Sequence, residues 1–428
     1  MPSINRPALE SIPVGGDHGV RSLQSPIRVL FVASHPVQYS APMFRRLMTR
    51  PQVQIQVAYC NLQRDEGQFD PGFGIDVKWD TPLLEGYPWI AVKNRSISPG
   101  LDSFFGLFNP GIWRLASREK FDAIVLYTGY ICATFWIALA AAKWNRIPVL
   151  FGTDAHELTA RDRKSWKVWA KRLFWPRLFR LADVVLAPSS GTVSLMRSVG
   201  VPDDRIVLTP YCVDNDWWTR QSADVNRKAI RDRWNVPEDA IVVLFCAKLQ
   251  SWKRPEDLLR AFAKISDIEA YLIFAGEGPS RPTLESEALA LGISARVRFL
   301  GFVNQSGLPE IYTASDLFVL PSEYEPFGVV VNEAMLCGCS VIVSDRVGAR
   351  FDLVREGETG FVFPCGDIDA LSAVLNRAIQ NPKRLRKMGE SSRERMTHWS
   401  PGDNILGFEN ALILATGGLA KAKGADIR

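Results

Sequence analysis

The sequence predicts an α/β protein of two doubly wound, parallel-sheet domains that face each other across a cleft. Two regions alternate short β-branched runs with helix-period segments, the pattern of parallel strands covered by helices. Between them, Asn215 to Glu238 is a charged, Trp-containing stretch without strand signals, and it marks the expected interdomain boundary. At 428 residues, 47% hydrophobic and 23% charged, the chain is long and apolar enough for about two or three domains with their own cores.

The opening MPSINRPALESIPVGGDHGVRSLQSP has no apolar h-region and reads as a flexible tail over 1–26, with folding expected to start at Ile27. Strands are expected at 27–34, 53–60, 121–128, 147–153, 182–189 and 205–212 in the first half. In the second half they are expected at 240–248, 269–276, 296–302, 316–322, 339–345 and 359–364, with helical patterns such as PEDLLRAFAKI and IDALSAVLNRAIQ between them. The segment AIVLYTGYICATFWIALAAA, Ala123 to Ala142, carries no charge and is long enough to span a bilayer. A buried strand, a turn at Gly129 and a core-facing helix use the same residues. The β-branched run before the glycine and the Ala-rich run after it favour that soluble reading.

The net charge of +5 argues against a nucleic-acid binder with a basic surface. Eight Lys or Arg against one Asp between Arg161 and Arg180 give a local +7, leaving the rest of the chain at about −2. On a helical wheel Trp166, Trp169, Ala170 and Leu173 share one face, with Lys164, Lys167, Lys171 and Arg172 on the other. Two readings stand: an apolar stripe packed into the core with solvated charges, favoured by the flanking strands and by Pro176, or a basic amphipathic helix lying on an anionic membrane surface, which would imply a lipid-linked acceptor. The seven cysteines are odd in number and mostly in apolar runs, as reduced core cysteines are, which favours the cytosol. Cys337 and Cys339 have no second pair or nearby His to complete a zinc site, so no metal is expected.

Ligands of open α/β sheets sit at the carboxyl ends of strands. Lys248 and Lys253 follow the strand at 240–248, and two ammonium groups there suit a diphosphate; solvated surface lysines are the plain alternative. In SEYEPFGVVVNEAM, Glu325 lies in the loop after the strand at 316–322, and Pro326, Phe327 and Gly328 open a helix that places Glu333 in its second turn. Gly328 allows close backbone approach, helix-start N–H groups suit phosphate, and an ionised carboxylate accepts two hydrogen bonds at once, as paired ribose hydroxyls offer. A helix-dipole residue and a solvent-facing Glu remain the alternative.

KLQSWKRPEDLLRAF, FAGEGPSRPTLE, RVRFLGFV, SEYEPFGVVVNEAMLCGCSVIVSD and GETGFVFPCGDIDAL, in that order and spacing, resemble the C-terminal half of retaining glycosyltransferases of the glycogen-synthase-like superfamily, family four, which have the GT-B fold. SHPVQYSAPMFRRL and PYCVDNDWW in the first half are similar more loosely. The resemblance implies that Lys248 and Lys253 bind the donor diphosphate, Glu333 the ribose and Glu325 hydroxyls of the transferred sugar. Phe327, Gly328 and Val329 would line the phosphates through their backbone. Gly276, Glu277 and Gly278 would form part of the nucleotide pocket, with Phe302 and Val303 near the base. His156 stands where the family often has a histidine facing the sugar, flanked by Asp154 and Glu157, so Glu325, Lys253 and His156 are the expected catalytic residues.

The implied donor is a UDP- or GDP-sugar, with no cofactor and no divalent ion, and the acceptor is a hydroxyl on a glycan, a lipid-linked sugar or a small molecule. The setting would be cell-surface polysaccharide or glycolipid synthesis, cytoplasmic or peripheral on the inner face of the membrane. The expected division is an acceptor domain over 27–215, a donor domain over 216–398, and a helix within 399–428 that returns to the first domain before a tail. Ala247-Lys248 replaces the family's usual Gly-Arg, and Arg254 replaces the Gly that commonly follows the second lysine. Gly348-Ala349 and Asp352 stand where many members have a Gly pair and a Glu. His35 to Tyr39 replaces the usual glycine-rich loop after the first strand. A GT-B epimerase and a non-catalytic sugar-nucleotide or membrane-binding protein are the alternatives weighed.

Overall fold

The computed structural model describes residues 26–62, 68–70, 72–159, 164–265 and 269–425. The expected tail, apart from residue 26, and Arg161 to Arg163 of the basic segment lie outside the described residues. The strands are β1 (Ile27–Ala33), β2 (Val53–Tyr59), β3 (Gln68–Asp70), β4 (Ile75–Val77), β5 (Trp89–Ala91), β6 (Ala123–Tyr127), β7 (Val149–Gly152), β8 (Val184–Ala187), β9 (Ile206–Leu208), β10 (Ile241–Cys246), β11 (Ala270–Ala275), β12 (Val297–Gly301), β13 (Leu317–Leu320), β14 (Ser340–Ser344) and β15 (Gly360–Phe363). They form two parallel sheets, one in the order β5-β2-β1-β6-β7-β8-β9 and one in the order β12-β11-β10-β13-β14-β15, with β3 and β4 paired as a separate antiparallel hairpin. Each of the twelve strand expectations falls on one of these strands, ending a few residues short where the chain turns out of the sheet.

Both sheets are covered on both faces, so their strands are apolar on both sides rather than on alternate positions. In β10, Val242, Leu244 and Cys246 face one core while Ile241, Val243 and Phe245 face another. In β1, Leu30 and Val32 point one way and Val29, Phe31 and Ala33 the other. The uncharged segment from Ala123 is β6, a turn and the helix Ala133–Trp144, whose Phe135, Ala138 and Leu139 are buried. Among the described residues no helix is long and apolar enough to cross a membrane.

The stretch read as a charged boundary is a pair of packed helices, Asn215–Ala223 and Arg227–Arg233, which sink Trp218 and Ile230 into the core beneath the second sheet. Its charges are surface charges, except that of Arg231. That guanidinium is buried and satisfied by the carbonyls of Ala314, Glu238 and Ala240 and by Asp316. The last helix, Pro401–Ala425, packs Ile405, Phe408 and Leu412 against strands of the first sheet, with Phe408 stacked on Phe31 at 5.3 Å. The chain therefore passes between the halves twice, and the two passages are tied together: Trp399 donates to the Tyr211 carbonyl at 2.6 Å, Asn404 to that of Pro210 at 2.9 Å, and Asn215 to that of Met396 at 3.0 Å.

Each sheet reverses its strand order once, at β1/β6 and at β10/β13. Those reversals open a crevice at the strand carboxyl ends, because successive crossover helices leave in opposite directions there.

Candidate active site

Two cavities lie at these two reversals. The first, about 480 Å³, is lined by residues just past β1 and β6, among them His35 and Thr128, and by Asp154 and His156 past β7. The second, about 390 Å³, is lined by Ala247 past β10, Gly276 past β11, Phe302 and Val303 past β12, and Val329 and Glu333 beyond β13. Tyr39 lines both. The volumes are in the range of pockets for small organic ligands.

Glu333 sits in the first turn of the helix Val330–Leu336, one turn earlier than expected from the sequence, and is 7% exposed. Burial pushes its carboxyl up to about 8, and the Tyr312 hydroxyl, which donates to Oε2 at 3.0 Å, pulls it partly back. Phe327 is buried between Tyr211 and Trp399, so only its backbone can face a ligand. Gly328 has φ +94, a conformation that side chains rarely adopt, and it turns the chain from the Glu325 loop into the helix. At Gly276 a Cβ would lie 2.0 Å from the Ala247 carbonyl, so only glycine lets the loops after β10 and β11 meet on the cavity wall.

Lys253 and Glu325 form an ion pair with each other, and Ser322 Oγ lies 3.5 Å from the same carboxylate oxygen. Tyr324 and Pro326, on either side of Glu325, line the first cavity, while Val329, just past Gly328, lines the second. Glu325 itself, and Lys253 with it, sits behind these residues rather than among those lining either cavity. Lys248 is held from the first half of the chain: its Nζ donates to both oxygens of Asp70 at 2.7 Å and lies 4.7 Å from the centre of the Phe73 ring.

His156 reaches across the cleft. Its Nδ1 lies 2.9 Å from the Pro326 carbonyl, which only accepts, so Nδ1 carries the proton and Nε2 is left as the acceptor. Burial lowers the imidazole pKa, which keeps the ring neutral near pH 7. Glu157 pairs instead with Arg346 at 3.0 Å. Asp154, named in the sequence only as a neighbour of His156, is exposed to the lumen of the first cavity while protein surrounds it. Burial and the nearby Glu325 raise its carboxyl pKa.

The structure corrects three expectations. Lys248, Lys253, Glu277, Gly278, Glu325, Phe327 and Gly328 are not among the residues lining either cavity: the lysines pair with Asp70 and Glu325, Glu277 pairs with Arg281, and Gly278 fits against the Leu249 backbone. The second cavity is not built from the second half alone, since Phe73, Trp79 and Leu83 also line it. The Trp face of the basic segment is not core: in the helix Ser165–Phe179, Trp166 is 64% exposed, Trp169 65% and Leu173 47%, while Trp175, Leu178 and Phe179 are the buried residues. Pro176 lies inside that helix without ending it, and Lys171 and Trp175 line the first cavity.

Two parallel-sheet domains with a cleft at both strand-order reversals define the GT-B class of architecture. Residues 226–395 match the family described as Glycosyl transferases group 1, and residues 25–212 match the Glycosyl transferase 4-like domain. The chain is 29% identical over 290 residues to N-acetyl-alpha-D-glucosaminyl L-malate synthase of Bacillus anthracis, spanning 65% of this chain and 71% of that protein. It is 28% identical over 365 residues to D-inositol 3-phosphate glycosyltransferase of Rhodococcus jostii, spanning 79% of this chain and 78% of that one. The solved structure of Anabaena Alr3699/HepE in complex with UDP-glucose superposes with a TM-score of 0.67 at 19% identity, covering 91% of this chain and 100% of that one, a likeness of fold. The chain belongs to the group 1 glycosyl transferases, and it is a glycosyltransferase.

Proposed function

We propose that this glycosyltransferase is retaining, and that it moves a sugar from a nucleoside-diphosphate donor in the second cavity to a hydroxyl acceptor in the first. The observation that carries the reading is the Lys253–Glu325 pair directly behind Tyr324 and Pro326 of the first cavity's wall, with His156 in that same wall and Glu333 in the wall of the second. A donor that places its ribose on Glu333 brings its diphosphate to Lys248 and Lys253 and its sugar to Glu325 and His156. The likeness to a protein solved with UDP-glucose supports a UDP-sugar first and a GDP-sugar second.

In the proposed reaction the acceptor oxygen bonds to the anomeric carbon on the face the diphosphate leaves. The bond from that carbon to the phosphate oxygen breaks, and the acceptor proton passes to the departing phosphate. The two ammonium groups stabilise charge developing on the leaving group, an effect worth roughly 10²–10³ in rate per well-placed donor. Glu325 is engaged by Lys253 and Ser322. An engaged carboxylate is a poor nucleophile, which favours front-face substitution over a covalent intermediate on Glu325.

The exposed Trp166, Trp169 and Leu173, on the helix whose Lys171 and Trp175 line the first cavity, support a membrane-borne acceptor at an anionic surface. The test is nucleoside diphosphate release from a panel of UDP- and GDP-sugars with hydroxyl acceptors, followed by the anomeric configuration of the product. Acceptor-dependent turnover with the donor's configuration kept supports the reading. An inverted product overturns the retaining mechanism, and tight donor binding without turnover overturns the transfer.

A further inference from the structure

We propose that the strap at residues 72–83, although it belongs to the first half of the chain, is part of the donor site: Phe73 and Trp79, packed on Phe302, form the aromatic wall on which the nucleobase stacks, and Asp70 just before them gives up Lys248 to the donor's diphosphate. This rests on the donor reading above. Phe73 and Trp79 line the second cavity and face Phe302, with ring centres 4.9 and 6.2 Å away. Phe73 meets Phe302 edge to face and Trp79 is tilted against it, so the three rings form one continuous aromatic wall in a cavity that also carries Glu333, and a base, which always offers a π-face, can stack on that wall.

The strap is fixed at both ends to the second half of the chain. At one end Asn304 donates to the Lys78 carbonyl at 2.6 Å, and Asp80 accepts from the Ser306 N–H at 3.2 Å and from its hydroxyl. At the other end Lys248 donates to both Asp70 oxygens at 2.7 Å, and Asp70 Oδ1 also accepts from the N–H groups of Gly72 and Phe73 at 2.8 and 3.1 Å. A Cβ on Gly72 would lie 2.7 Å from Lys248 Cδ and 2.8 Å from Nζ, so glycine at 72 leaves the lysine its present path to the carboxylate. Asp70 and a diphosphate are both anions with claims on one ammonium group. Donor binding exchanges one for the other, and the aromatic pair keeps the strap over the base as it does so.

The experiment is calorimetric titration of UDP, GDP and inorganic pyrophosphate into the full chain and its variants. With the nucleotide that wild type binds, Trp79→Ala and Phe73→Ala are expected to weaken affinity roughly five- to hundredfold, the span set by stacking of one base on one ring. Trp79→Phe restores most of it, and pyrophosphate, having no base, binds Trp79→Ala as it binds wild type. Asp70→Asn is expected to tighten both ligands at least about threefold, by removing the competing charge. A wild type that binds nucleotide and a Trp79→Ala that binds it equally well overturn the strap and leave the donor reading standing, as does weaker binding by Asp70→Asn. A wild type that binds no nucleoside diphosphate overturns the donor reading and the strap with it.

Discussion

The side chains of Lys253 and Glu325 are 17% and 15% exposed and are each other's counter-ion, so removing one leaves the other as an uncompensated, mostly buried charge. Lys253→Ala and Glu325→Ala are expected to lower kcat by roughly 10²-fold or more while the chain stays folded, measured as acceptor-dependent diphosphate release. Glu333 carries a pH signature. Its carboxyl is ordinary near 4.5 when unfolded and near 8 when folded, so between those values the folded chain holds a proton that the unfolded chain has lost. Stability therefore falls as pH rises through that window. Glu333→Gln is expected to remove most of the fall, gaining about 1–3 kcal/mol relative to wild type at pH 8 and little at pH 4.5 in urea unfolding. Arg254 explains a departure visible in the sequence: it adopts φ 54, ψ 44, the left-handed region that the commoner glycine enters freely, and Asp257 and Glu323 hold its guanidinium. Arg254→Gly and Arg254→Ala lose the same ion pairs, so Ala should be the less stable by about 1 kcal/mol, the cost of a Cβ in that conformation. Equal stabilities would contradict the account of that position.

At the level of elements, the strands were legible because long apolar, β-branched runs announce strands buried on both faces, whatever their tertiary neighbours. The hairpin and β5 were not, since QFD, IDV and WIA are too short to show a period. The Asp70–Lys248 pair joins residues 178 apart, which no local pattern carries. The helix Ser165–Phe179 teaches a related lesson: periodicity found its apolar Trp face but not what that face meets, and it meets solvent. Vesicles containing anionic lipid are expected to bind the protein, with binding weakened by salt and by the Trp166→Ala, Trp169→Ala pair. Equal binding to neutral and anionic vesicles, or none, would contradict the membrane-borne acceptor.

Across the whole molecule, the cleft is a consequence of topology. Two sheets each reverse their strand order, the cavities form at those reversals, and the loops that follow β10 and β13 carry Lys248, Lys253 and Glu325 at the strand carboxyl ends. Strand ends and Gly328 made the positions of the second half's glutamates and lysines legible, but residues alone left solvated side chains as an equal reading, and only the family resemblance supplied their expected roles. The residues of the first half, Asp154 and the strap above all, could not be read from sequence, because their surroundings come from elements distant in the chain. The most direct measurement is the structure of the protein with its nucleoside-diphosphate donor bound. The expected result is ribose on Glu333, diphosphate on Lys248 and Lys253, and sugar between Glu325 and His156. Donor bound instead in the cavity beside His35 and Thr128, with the Lys253–Glu325 pair intact, would contradict it.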